Sequence, residues 1–277
     1  VDITATSVGP TNVAFGASIS TAGGGGCPDG CGSVAGHGGT VNMNIPGAIS
    51  NVRIFTDGGA YAYNTGANAG AIGISAGSLV NVELFARGGY GYFHGGNGAA
   101  ISITGAVHGL QANADGGAAS LGYAGANGGN AGSFQAIGAS VTSALLQAVG
   151  GQAGGANGAD GNIALHAPTG SDITLAGVEA PGNAISVQAT GGRILPGSSA
   201  YGANVAALNM DITLTANGGI GTSTSDPLTV AGFYPSSVVF TNTGSGDVFI
   251  AGYYGGGFGG ELAIQSGSNL AGSVYLA

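Results

Sequence analysis

The chain has no lysine, and Arg53, Arg87 and Arg193 are its only strongly basic residues in 277 positions. Without a basic patch, nucleic-acid binding loses the phosphate-neutralising term that dominates such affinity. Only 5% of residues are charged, yet 44% are hydrophobic, so the composition is not that of a highly charged disordered chain. No run approaches 18 uninterrupted apolar residues, which excludes a transmembrane helix. The alternating apolar runs, three to five residues long, are too short for a transmembrane barrel. No initiator Met, basic n-region or apolar h-region opens the chain, as expected if a leader was removed or the segment lies inside a longer polypeptide.

What the chain has is glycine, 61 residues of it, about three times the usual share. Glycine this frequent is costly in helix interiors, so a helical globule is excluded. It does not fall at every third position throughout, so collagen is excluded too.

Internal repetition is the strongest signal. The segments SISTAGG, RIFTDGG, ELFARGG, QANADGG, LQAVGG, VQATGG and TLTANGG place a Gly pair at Gly23, Gly58, Gly88, Gly116, Gly150, Gly191 and Gly218, with spacings of 35, 30, 28, 34, 41 and 27. A second register of alternating runs begins at Val41, Ile72, Ile101, Phe134 and Ile163, with spacings of 31, 29, 33 and 29. Two registers that agree on a unit of roughly 30 residues mark stacked repeats. The apolar-x-apolar pattern has period two, so the coils are β-strands with one face inward. The expected fold is all-β, a parallel β-helix of roughly 30-residue coils. Each coil reads as strand, Gly pair, Gly-rich loop, strand, short corner and a third apolar run such as Leu79-Val80 or Val107.

A finer period runs through the loops. Gly155, Gly158 and Gly161, then Gly122, Gly125 and Gly128, then Gly30, Ser33, Gly36 and Gly39 recur every third residue. Three residues per turn is the polyproline II period. The N-terminal half is therefore expected to carry polyproline-II-like Gly loops stacked on one side. From about residue 170 the strands become more regular and the turns carry Asp, Asn, Ser and Pro. The expected organisation is one continuous solenoid over 1–277, with Gly-rich-loop repeats over 1–169 and more regular coils over 170–277.

Asp211-Ile212-Thr213-Leu214-Thr215-Ala216-Asn217-Gly218-Gly219-Ile220-Gly221-Thr222, followed by Asp226-Pro227-Leu228-Thr229-Val230, resembles filamentous-haemagglutinin-like secreted exoproteins. The likeness is clearest over residues 160–250. It implies a right-handed parallel β-helix, export to the exterior or surface of a bacterium, and adhesive or structural work there.

Few residues point to chemistry. Cys27 and Cys31 flank a Pro-Asp-Gly turn in CPDGC. A disulfide there fits an oxidising compartment and would contribute roughly 2 kcal/mol. Free thiols or a metal site sharing His37 are the alternatives. The sequence around Asp160 only superficially matches a calcium-binding nonapeptide, because Asn162 stands where an apolar residue belongs. Asp57 and Asp115 precede Gly pairs and read as turn caps. His37, His94, His108 and His166 have neither metal-ligand spacing nor a nucleophile nearby. Tyr61, Tyr63, Tyr90, Tyr92, Tyr253 and Tyr254 cluster after Gly pairs, an expected band of assembly or contact aromatics unless they fold back on their own coil.

The reading expects no enzyme, no cofactor and no metal. A polysaccharide lyase needs a base and acidic ligands in one groove, and a hydrolase needs paired carboxylates, neither visible here. Ice binding needs regular Thr ladders, but positions equivalent to Thr174 and Thr213 mostly hold Ser, Gly, Ala or Asn. The expected function is a noncatalytic extracellular structural protein that assembles head to tail with itself or with other surface components. An adhesin segment of a giant exoprotein is the alternative. A net charge of −9 disfavours nucleic acid and anionic membranes.

Overall fold

Alternate side chains of a strand face opposite sides, so an apolar-x-apolar run buries one face only when something covers it. The computed structural model covers that face with the next coil. It describes residues 1–4, 17–25, 35–60, 64–168, 170–199, 202–208, 211–233, 237–253 and 263–277. Cys27 and Cys31, as well as Tyr61, Tyr63 and Tyr254, lie outside the described residues.

Among the described residues there is no helix. The strands are β1 (Asp2–Thr4), β2 (Ala17–Ser20), β3 (Val41–Phe55), β4 (Ile72–Phe85), β5 (Ile101–Asn113), β6 (Phe134–Ile137), β7 (Val141–Gln147), β8 (Ile163–Ala167), β9 (Ile173–Leu175) and β10 (Val178–Ala180). They continue as β11 (Ile185–Ala189), β12 (Ile194–Pro196), β13 (Val205–Leu208), β14 (Ile212–Ala216), β15 (Leu228–Phe233), β16 (Val238–Asn242), β17 (Val248–Gly252), β18 (Ile264–Asn269) and β19 (Val274–Leu276). Strand pairs such as β3–β4, β8–β11 and β11–β14 are parallel, each joining a coil to the next, which makes the fold a parallel β-helix. The residues group into two compact units: Val1–Thr104, Gln111–Gln135 and Gln147–Asn162 form the first, and Gly105–Leu110, Ala136–Leu146 and Ile163–Ala277 the second.

In the first unit, β3 and β4 run side by side with Val41 opposite Ile72, Met43 opposite Ile74, Val52 opposite Val82 and Ile54 opposite Leu84. All eight side chains are buried. The corner and third run expected from the sequence do not form a separate strand: Leu79-Val80 continues β4 and Val107 continues β5, and the equivalent corner of β3 lies within one 15-residue strand. Pairing shifts once between Ile45 and Ala48, at Pro46-Gly47, and the strand bends again at Asn51 without ending. Asn51 and Asn81 both take positive φ (53° and 51°), a conformation asparagine tolerates better than other non-glycine residues. The Asn81 side-chain amide donates to that of Asn51 at 3.4 Å. Outside the corner, Phe55 stacks on Phe85 with centroids 5.0 Å apart.

The Gly segments of this unit form a hydrogen-bonded layer. N–H groups of the return segments follow a repeating order of three. Gly95 and Gly98 donate to the next coil, at Asn127 and Asn130; Gly96 and Ala99 donate to the outgoing segment of their own coil, at Gly89 and Ala86. Between them, the Asn97 N–H turns to the previous coil and binds the Asn68 side chain at 2.8 Å. Residues 66–70 and 128–132 repeat that order. One relay threads the layer: Gly158 donates to Gly151, Gly151 to Gly129, Gly129 to Gly117, Gly117 to Gly96, Gly96 to Gly89, Gly89 to Ala67, Ala67 to Gly59, Gly59 to Gly36 and Gly36 to Gly24. Backbones come this close only without side chains, since a Cβ on Gly89 would sit 2.0 Å from the Gly59 carbonyl oxygen. Gly122 and Gly125, by contrast, lie in turns.

The second unit stacks its inward residues in columns. Ile163, Ile185, Ile212 and Val238 form one, and Leu165, Val187, Leu214 and Phe240 another. Ile173, Ile194, Ile220 and Val248 line a further face, and Val178, Val205 and Val230 the next. Phe240 outgrows its column, and the in-register residue of the following coil is Gly267, where a Cβ would fall 2.1 Å from the ring. Buried polar residues here are satisfied. Asn204 donates to the carbonyls of Leu175 and Gly197 and accepts from Thr229 through both its N–H and its hydroxyl. Such pairing removes the cost of burying an amide.

Candidate functional site

Asp57 sits immediately before a Gly pair and reaches the next coil. Its Oδ1 accepts the Arg87 backbone N–H at 2.8 Å, and its Oδ2 accepts the Arg87 guanidinium at 2.7 Å. Asp172 and Arg193 repeat the geometry in the second unit, at 2.8 and 2.9 Å. Asp115 caps Val149 and Asp247 caps Ser273 in the same manner. The carboxylates expected to cap local turns at Asp57 and Asp115 reach the following coil, and Asp115 also accepts the Asn113 side-chain amide at 2.9 Å. The Arg87 guanidinium is held above its ordinary pKa, first by its hydrogen bond to Asp57 and then by the charges of Asp57 and Asp115, against partial desolvation. It also lies over the Phe85 ring, 4.9 Å from the centroid. Arg53 pairs with Glu83 at 2.6 Å. All three arginines are thus committed to carboxylates between neighbouring coils.

The histidines also bridge coils. His37 Nδ1 accepts the Asn68 N–H at 3.1 Å, starting the column that Asn68, Asn97 and Asn130 continue with their side chains. His166 faces the Thr190 hydroxyl at 3.2 Å, and His108 faces Ser140 at 3.4 Å. Among the described residues, no group of three or more His, Cys, Asp or Glu side chains converges as a metal site would require. Asp160 turns back to cap the Gly150 N–H.

The sequence-marked tyrosines separate into two kinds. Tyr253 packs over Gly202, where a Cβ would meet its ring at 2.3 Å. Tyr90 and Tyr92 are exposed, and Tyr92 belongs to a surface cluster with Phe93 and Tyr123. Phe93 meets Tyr92 edge-on at 5.0 Å and Tyr123 at 5.3 Å, and the two tyrosine rings lie 6.1 Å apart at 26°. Exposure in this patch runs from 38% at Phe93 to 69% at neighbouring Leu121. The rings stand on tied backbone: the Phe93 N–H donates to Asn64, its carbonyl accepts from Asn127, and the Tyr123 carbonyl accepts from Ala126. Phe93, Leu121 and Tyr123 were not marked by the sequence reading. Tyr123 comes from the next coil, six residues beyond Gly117, and only stacking brings it to Tyr92. No family model, no curated protein and no solved structure matches this chain.

Proposed function

We propose that this chain is a noncatalytic structural β-solenoid working outside a bacterial cell, as a subunit or segment of a surface filament. The observation that carries the reading is the stack itself: β8, β11, β14 and β16 pair parallel and in register, coil upon coil, and their inward side chains form buried columns. Stacks of this kind grow by adding coils, each pairing with the strand edges of its neighbour.

The chemistry of the charged groups supports a scaffold. The arginines are tied to carboxylates, and Asp57, Asp115, Asp172 and Asp247 spend acceptors on the next coil. The likeness to filamentous-haemagglutinin-like exoproteins belongs to this proposal, with right-handed winding, secretion and an adhesin segment of a giant exoprotein as its second form. Its support is the DITLTA run, whose strand stacks in full register between two neighbours.

Sedimentation of the purified chain across concentration, together with the intact mass of the native polypeptide, tests the proposal. A native mass matching this chain, with end-to-end polymers, is the expected result for a filament subunit. A native polypeptide several times longer selects the exoprotein form. A native chain of this length that stays monomeric at every concentration overturns the filament reading.

A further inference from the structure

We propose that the cluster of Tyr92, Phe93 and Tyr123, with the exposed Tyr90 and Leu121 two residues before Tyr92 and Tyr123 in the chain, binds a neutral polysaccharide chain. The inference goes beyond the scaffold reading and does not depend on filament formation. Residues 58–82, 88–114 and 116–159 contain no Asp, Glu, Lys or Arg, so the ring-bearing segments and those hydrogen-bonded to them offer nothing to an ionic partner. Nucleic acids, anionic lipid surfaces and charged protein faces all lack a complement here.

Among the described residues, the exposed apolar area is small for a second protein surface. With aromatic side chains of about 150–250 Å² each and exposures near two-fifths, the patch presents roughly 400 Å². A standard protein interface needs about 800 Å² from each partner. A chain of sugar rings needs less. Pyranose rings present C–H faces rimmed by hydroxyls, and such C–H faces can pack on exposed aromatic rings. The exposed rings of Tyr92, Phe93 and Tyr123 lie in the same chain segments as the His94 and Asn127 side chains, whose nearest nitrogens are 3.5 Å apart. Tyrosine suits such a surface because it joins an apolar face to a polar tip.

The site is also built in advance. Phe93 donates to Asn64 in one neighbouring coil and accepts from Asn127 in the other, and the Tyr123 ring lies close over Gly125, where a Cβ would fall 2.9 Å from it. Rings fixed before binding lose little freedom on contact.

The test uses the full chain and soluble gluco-, xylo- and mannohexaose as probes. The protein has no tryptophan, so its emission reports tyrosine directly. The expected result is saturable binding of at least one hexaose, seen by calorimetry and as a change in tyrosine emission. Tyr92→Ala with Tyr123→Ala should weaken it about tenfold or more, whereas Tyr123→Phe should retain it. Leu121→Asp, at an open position, provides a second loss-of-binding variant should the double one misfold. Absence of binding by all three hexaoses, preference for an anionic glycan, or unchanged affinity in the folded variants overturns the proposal. So does a patch-dependent self-association without sugar binding.

Discussion

Asp57 and Arg87 are thirty residues apart in the chain, yet one carboxylate binds both the backbone N–H and the guanidinium of that arginine. The carboxylate fixes the register of one coil on the next, and the ion pair is added to that. Asp57→Ala removes both, and a cost of about 1–2 kcal/mol is expected from the lost backbone cap and pair together. Arg87→Ala leaves the N–H cap in place and removes a partly exposed pair, for about 0.5 kcal/mol after solvent screening. Chemical denaturation of the two variants should rank them in that order. Because folding raises the Arg87 pKa, its share is present below the ordinary arginine value and is lost only as pH rises through the raised one. The Arg87→Ala difference should therefore stay constant from neutral pH to about pH 10.

Two glycines of the layer should respond oppositely to one methyl group. A Cβ on Gly24 meets nothing within 4 Å, whereas one on Gly89 lands 2.0 Å from the Gly59 carbonyl oxygen. Gly24→Ala is expected to be neutral or stabilising by under about 1 kcal/mol. Gly89→Ala should cost roughly 3 kcal/mol or more, because backbone rather than a side chain must move. Thermal melts of both variants decide this.

At the αL corner, the test is conformational rather than steric. Asn81→Gly should be close to neutral, and Asn81→Ala should cost about 1 kcal/mol, since alanine lacks the local polar contacts that help asparagine at positive φ. Equal losses in both variants would instead place the value of Asn81 in its bond to Asn51.

Leu214 lies in the middle of a buried column between Val187 and Phe240. Leu214→Ala should cost about 2–5 kcal/mol. Coils in a stack depend on their immediate neighbours, so hydrogen exchange should accelerate over β11, β14 and β16 before β3 and β4 respond.

The columns were legible in the sequence because period-two burial leaves a direct trace. Ile72 and Ile74, Ile101 and Ile103, and Ile163 and Leu165 are inward, as their alternation requires. The unit length was legible for the same reason, from two registers that never shared a residue. The asparagine column was not read, although Asn68, Asn97 and Asn130 recur at 29 and 33 residues, because asparagine in a Gly-rich loop ordinarily signals a turn. Arg87 occupies the position before its Gly pair that Asp57 and Asp115 hold in other repeats. It is the partner of the Asp one coil earlier, a relation that alignment by equivalent position conceals. The aromatic cluster was half visible. Tyr90 and Tyr92 stood out by following a Gly pair, but Tyr123 belongs to a turn with no such marker.

The order of three in the Gly layer constrains how such a chain can change length over evolutionary time. At Gly95 the N–H faces the next coil, at Gly96 its own, and at Asn97 the preceding one. Inserting or deleting one residue in that segment rotates every later donor onto the wrong neighbour. Three residues restore the phase, and a whole coil adds another copy of it. Viable indels in this region should therefore come in triplets of codons or in duplications of an entire coil, a grammar of lengths written by hydrogen-bond direction.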